Sequence, residues 1–253
     1  MLVLALDTAT PASTAALVEV TDGGLLGVAE HRTVDPRAHG ERLAPAIAAV
    51  LADAGVRARD LGAIVAGLGP GPFTGLRVGL ATAASMGQAL SIPTYGVCSL
   101  DGVGRAAGPG RVLVATDARR REVYFATYVD GVREFGPEVA RPADVAAALS
   151  AAIEGAVVQG AAIKGAAANG AGAPGDSVTA RAFVDRAAGE GALKYADVFA
   201  VPVEEHLLYP PGAALVAIAA ERIMAAAPRE MLTPLYLRRP DAVEPAGRKP
   251  VLT

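Results

Sequence analysis

Hydrophobic residues in this chain fall into two successive blocks with the same internal order. In the first, LVLALD (Leu2–Asp7) is an apolar run closed by an aspartate, followed by a turn through Thr8, Ala9, Thr10 and Pro11. A second run, STAALVEV, ends at Asp22-Gly23, and a third passes through LLGVAEHRT. The second block opens with RVLVATD (Arg111–Asp117), turns through Ala118, Arg119 and Arg120, continues as EVYFATYV to Asp130-Gly131, and closes with VREFG. Short apolar runs bounded by turn residues predict strands. Asp-Gly between two of them predicts a hairpin, because both residues tolerate positive φ. Each block therefore predicts a three-stranded meander with an aspartate at the end of its first strand.

Beyond each meander the period changes. HGERLAPAIAAVLADAG places Leu43, Ile47, Val50, Leu51 and Ala54 on one helical face with Gly55 as the stop, and Pro45 fits best in a first turn. AIVAGLG predicts a buried strand, Phe73–Leu90 a helix and PTYGVCSL a further strand. In the second block RPADVAAALSAAI predicts a helix, AVVQGAA a buried strand, Ala180–Ala188 a short helix, and ADVFAVP takes the place of the last strand. A final helix is expected from Gly212 to Ala227. The repeated order β-β-β-α-β-α-β predicts an α/β fold of two ribonuclease-H-like lobes, the plan of the actin, Hsp70 and sugar-kinase superfamily. The cleft lies between the lobes and the final helix packs across them. Residues 1–105 form the first lobe, 106–233 the second, and the proline-punctuated residues 234–253 an extended tail.

Composition narrows the function classes. The chain has 253 residues, 52% hydrophobic but only 4% aromatic, so its core must rely on close packing of small side chains. Its net charge of −3 provides no global field to gather nucleic acid. The one cysteine, Cys98, excludes an internal disulfide and is expected to be a buried structural thiol. The amino terminus carries no basic flank and its apolar run is short, so a cytoplasmic protein without a membrane partner is expected.

The search for catalytic chemistry yields little. Three histidines, His31, His39 and His206, stand too far apart for a metal-binding helical pair, and no nucleophile elbow is present, so neither a metal site nor catalytic residues are assigned. The turns after the two Asp-terminated strands are where a phosphotransferase of this superfamily would approach nucleotide. Asp7, Thr8, Thr10 and Asp117 are thus candidates for a vestigial nucleotide site, with strand termination as the plain alternative for both aspartates. Asp117 is followed by Ala118 and Arg119 where a backbone cradle would want glycine.

The strongest local signal is GLGPGPFTGLRVG, Gly67–Gly79. A glycine-rich loop opening a helix suits phosphate, yet the lysine of a P-loop is missing. The helix it opens recurs in small residues at Gly75, Gly79, Ala83 and Gly87, beside a ridge of Leu76, Leu80 and Ala84. Such a stripe lets another helix approach closely. With Phe73 and with Leu43, Ile47 and Val50 of the preceding helix, it is expected to be a partner interface.

LALDTATPASTAALV, HGERLAPAI, GLGPGPFTGLRVGLATA, SLDGV, TDARRREVYFATY and PLYLR together resemble the TsaB (YeaZ) family of bacterial tRNA threonylcarbamoyladenosine biosynthesis proteins, which is glycoprotease-like. The resemblance is dense from Leu2 to about Tyr128 and returns around Pro234–Arg238. It implies a non-catalytic partner that binds and activates a TsaD-like catalytic subunit, in a complex with a TsaE-like ATPase. That complex moves threonylcarbamoyl from its adenylate to tRNA adenosine 37. The family's partner helices match about Gly40–Ala54 and Phe73–Leu90, and the same surface is expected to form homodimers. No cofactor is expected to bind tightly, although a nucleotide at the partner interface fits the resemblance, and tRNA is contacted indirectly. The alternatives are a nucleotide-binding phosphotransferase using Asp7 and Asp117, and a peptidase.

Overall fold

A computed structural model describes residues 1–153 and 184–238. The first meander forms as expected: β1 (Leu2–Asp7), β2 (Ala12–Thr21) and β3 (Gly24–Val34) are antiparallel neighbours. β4 (Leu61–Gly67) and β5 (Thr94–Val97) then add in parallel, giving the order β3-β2-β1-β4-β5. Alternation along β1 assigns its two faces. Leu4 and Leu6 pack with α1 (His39–Asp53) and α2 (Phe73–Leu90). Val3 and Ala5 pack with Leu215, Val216 and Ala219 of the last helix, Gly212–Met224.

α1 begins at His39, so Pro45 lies in its second turn rather than its first. Lacking an N–H, Pro45 leaves the Glu41 carbonyl without its helical donor; both residues are exposed, so that oxygen is open to solvent.

β5 ends at Val97, earlier than expected, and Ser99 opens a helix the hydrophobic pattern did not predict, α3 (Ser99–Ala107). Its glycines hid it, since glycine weakens a helix by about 1 kcal/mol relative to alanine. They are needed for packing: a Cβ on Gly102 would collide with Leu215, and one on Gly104 with the Tyr128 ring. Cys98, just before α3, is buried, and burial pushes its thiol up to about 12.

The second meander repeats the first as β6 (Arg111–Asp117), β7 (Val123–Val129) and β8 (Val132–Ala140), in a sheet ordered β8-β7-β6-β9. Its Asp130-Gly131 turn has positive φ at both residues, whereas in the first hairpin the positive φ falls on Gly24. α4 (Pro142–Ile153) follows. The expected strand AVVQGAA, the Ala/Gly-rich stretch, and residues 239–253 of the tail lie outside the described residues.

Two expectations are corrected in the second lobe. Residues 186–188, expected in a helix, form the short strand β9 (Arg186–Ala188), parallel to β6. Alanine favours helix locally, but Ala187 and Ala188 are wholly buried beside β6, and the sheet decides. ADVFAVP is not a strand. After α5 (Glu190–Lys194), Ala196–Phe199 forms the short helix α6, and Val203 alone makes an isolated bridge to Ala187. Phe199 is buried while Val198 is exposed, which fits a turn of helix on a surface.

The last helix, α7 (Gly212–Met224), packs on the first sheet and against α3, and α3 packs on the second sheet. α3 and α7 therefore join the lobes. No described helix is long and apolar enough to cross a membrane.

Candidate functional site

The two Asp-terminated strands and the loop opening α2 meet at the mouth of the cleft. Asp7 is 1% exposed. Its carboxylate accepts the Ser99 hydroxyl at 2.5 Å and the Ala9 N–H at 3.0 Å, and a Cβ on Gly67 would collide with it. Burial raises its pKa to about 6, against the lowering effect of the Ser99 and Ala9 hydrogen bonds. Asp7 thus locks the end of β1 to α3 and does not face the cleft.

Thr8 is committed as well. Its Oγ1 donates to the Gly75 carbonyl at 2.7 Å and accepts the Gly79 N–H at 3.1 Å. Those two groups are one i→i−4 step of α2, so the hydroxyl is docked onto the helix ladder itself. Of the four nucleotide candidates, Asp7 and Thr8 are therefore corrected to internal structural roles. Thr10 and Asp117 line the cleft.

This docking also corrects the reading of the small-residue stripe. Gly75 lies against the Thr8 carbonyl and His39, Gly79 against the Thr8 side chain, and Gly87 against Thr94. Ala83 and Leu76 have no exposure and Leu80 has 5%. On α1, Leu43, Ile47 and Val50 are equally sealed, in the core beneath the sheet. The stripe lets α2 approach its own sheet, so these side chains are not the free surface. The outward face of α2 carries Arg77, Ala81, Ala84, Ser85 and Gln88, and that of α1 carries Ala44, Pro45, Ala48 and Ala52. Period alone could not tell the inward from the outward face of a helix apolar nearly all round.

Phe73 is half-buried. Its ring stacks on Tyr236 at 4.8 Å, and the Arg77 guanidinium sits over it at 3.8 Å and bonds the Tyr236 hydroxyl at 3.1 Å. The strap carrying Tyr236 crosses both lobes. Leu235 N–H donates to Leu68 O in the first, and Arg238 reaches Ala118 O and Glu122 in the second. A groove of about 740 Å³ separates the outer face of α2 from this strap, with Met231 and Leu232 on its far wall.

The cleft holds about 590 Å³ between the first turn of α2, the loop before α1 and the turn after β6. Asp117 pairs with Lys194 at 3.0 Å. Its N–H donates to Glu190, whose carboxyl is pushed up to about 7 by burial. His39, 7% exposed, engages Ser13 Oγ through Nδ1 at 2.8 Å. Burial lowers its pKa, opposed by the nearby Asp35 carboxylate. His31 and His206 sit apart, against Asp53 and Glu204. Among the described residues no cluster of three His, Cys, Asp or Glu side chains is placed to hold a metal. Ser99, Glu190 and Tyr236 were not singled out from sequence, where each stands far from the turn it completes. For His39 the one available signal was its place just ahead of a helix.

The family model for tRNA N6-adenosine threonylcarbamoyltransferase, TsaD, matches residues 31–245. The chain belongs to this family. Within it the likeness runs to TsaB. Thirty-nine per cent of 132 residues are identical to the tRNA threonylcarbamoyladenosine biosynthesis protein TsaB of Escherichia coli K12, over 51% of this chain and 55% of that one. An uncharacterized protein of Mycobacterium tuberculosis H37Rv is 47% identical over 95% of this chain and 93% of its own length. The solved structure of YeaZ from Pseudomonas aeruginosa superposes with a TM-score of 0.65 at 27% identity, covering 93% of this chain and 99% of that one. The TsaD-family fold therefore extends over both lobes and is not confined to the GPGPFTGLRVG segment.

Proposed function

We propose that this chain is a TsaB-type subunit of tRNA threonylcarbamoyladenosine synthesis, which works by binding and activating a TsaD-type catalytic subunit and is not itself the catalyst. The likeness to TsaB proteins carries the reading. The surface of the first lobe supports it: α1 and α2 pack side by side and turn outward mainly alanines, a proline and a serine, with Arg77 and Gln88 beside them. Short side chains on two adjacent helices let a partner's helices approach closely.

The interface proposed is this outward face, carried by Ala44, Ala48, Ala81, Ala84 and Ser85, with Phe73 at its edge. The buried stripe acts beneath it by holding α2 in place. A TsaE-type ATPase completes the complex, homodimers of the free chain use the same face, and a nucleotide is accommodated at the contact with TsaD. The tRNA is met by the partner. A phosphotransferase using Asp7 is disfavoured, because that carboxylate faces the interior.

The test is reconstituted modification of tRNA by the cognate TsaD-type and TsaE-type subunits with and without this chain. Modification is expected to require it. Ala48→Arg with Ala84→Arg is expected to abolish both co-purification with the TsaD-type subunit and modification, while the variant melts like the parent. Full activity without the chain, or undiminished co-purification of the double variant, sinks the reading.

A further inference from the structure

We propose that the cleft between the lobes binds a small phosphate-class oxyanion, seated on the first turn of α2 between the His39 imidazole and the guanidinium groups of Arg37 and Arg119. α2 is an 18-residue helix that starts behind Pro72 with no side chain capping it. Its first N–H groups, at Phe73, Thr74 and Gly75, therefore present the positive end of the helix to the cleft.

The second observation is independent of the helix. His39 is more than nine-tenths buried, and its only hydrogen bond runs from Nδ1 to Ser13. Among the described residues Nε2 has no partner, and it lies beside Gly75, where a Cβ would come within 3.3 Å of it. The tautomer in which the Ser13 hydroxyl donates to Nδ1 puts the ring proton on Nε2, at the cleft that His39 and Gly75 line. Nε2 opens onto the cleft rather than being sealed, so a bound oxyanion takes the place of water at this edge of an otherwise buried ring.

Charge points the same way. The cleft is lined by Arg37, Arg119 and Arg238 against Asp117, with the Asp35 carboxylate near His39, in a chain whose net charge is −3. Asp117 is paired with Lys194, and Arg238 is held by Ala118 O and Glu122. The Arg37 and Arg119 side chains are exposed and engage no carboxylate among the described residues. The turn that carries Arg119 holds three successive arginines at φ of 59°, 50° and 61°. That left-handed backbone costs roughly 1 kcal/mol or more per residue.

The chemistry differs from a two-phosphate cradle built on the strand-end turns. Asp7 and Thr8 are turned into the lobe, and no glycine follows Asp117, so a single oxyanion group is the unit recognised.

The experiment is isothermal calorimetry of the full chain at constant ionic strength, with inorganic phosphate as one probe and AMP as the other. Saturable one-site binding of phosphate is expected, accompanied by a shift of the His39 ring resonances in the NMR spectrum. Arg37→Ala with Arg119→Ala is expected to weaken binding at least about tenfold without changing the melting temperature, because charge-assisted hydrogen bonds are lost from exposed side chains. AMP binding tighter than phosphate assigns the site to a phosphomonoester, and equal affinity assigns it to phosphate itself. No saturable binding of either probe overturns the proposal, as does equal binding by parent and double variant.

Discussion

The turns that follow β1 and β6 start from the same sequence plan and end in opposite arrangements. In the first lobe the strand-end carboxylate, Asp7, is drawn inside and accepts the Ser99 hydroxyl and the Ala9 N–H. In the second, Asp117 stays at the cleft and pairs with Lys194, and the inward-turned carboxylate is supplied from elsewhere by Glu190, which accepts the Asp117 and Gly191 N–H groups. Both lobes keep one inward-turned carboxylate tying a strand end to a helix start, fully sealed at Asp7 and half-buried at Glu190. What differs is which residue provides it, and therefore which turn is left to face a ligand. Internal repetition in sequence thus preserved an architectural need rather than a pair of equivalent sites.

The largest test of this contrast is on the first turn. Gly79→Arg forces a side chain into Thr8 and is expected to cost about 3 kcal/mol or more in denaturant unfolding. An unchanged midpoint would mean that the stripe is not packed on the β1 turn at all.

Next is Asp7→Asn, measured against wild type across pH. The folded pKa of about 6 lies above the ordinary 3.8, so the folded protein holds this proton more tightly than the unfolded chain. The favourable contribution is complete below about pH 3.8 and is lost as pH rises through 6, approaching about 3 kcal/mol in all. The variant should therefore gain on wild type between those values and hold a constant difference above them. A difference that is flat with pH would mean that Asp7 is not sealed from water.

A smaller effect is expected at the second turn. Lys194→Ala removes a half-exposed ion pair and should cost no more than about 1 kcal/mol, less in high salt. Smallest of all, Ala84→Arg on the outward face of α2 should leave stability within about 0.5 kcal/mol of wild type, in contrast to Gly79→Arg only five positions earlier. A large loss there would show that the outer face is also packed by the chain.

Legibility followed the range of the interactions. The meanders were readable because a strand's apolar run and its turn are local, and the helices α1, α2, α4 and α7 because their period is. α3 was not, since Gly102 and Gly104 lower helix propensity and are justified only by Leu215 and Tyr128 packed against them. β9 was missed because its alanines favour helix until β6 is placed beside them. The residues read from sequence as an interface proved to be mostly the inner faces of α1 and α2: buried leucines and glycines give the stronger pattern, while the exposed alanines proposed here as the contact give almost none.

By itself the sequence determined the two meanders, the helices α1, α2, α4 and α7 and the two-lobed plan, because those depend on residues within a few positions of each other. The tertiary structure alone decided which side of α2 meets water, which aspartate is sealed and where the cleft gathers its charge. Those outcomes rest on contacts such as Thr8 to Gly79, 71 residues apart, Ser99 to Asp7, 92 apart, and Arg238 to Ala118, 120 apart. A side chain's solvation is set by whatever the whole fold lays over it, and no local pattern carries that information.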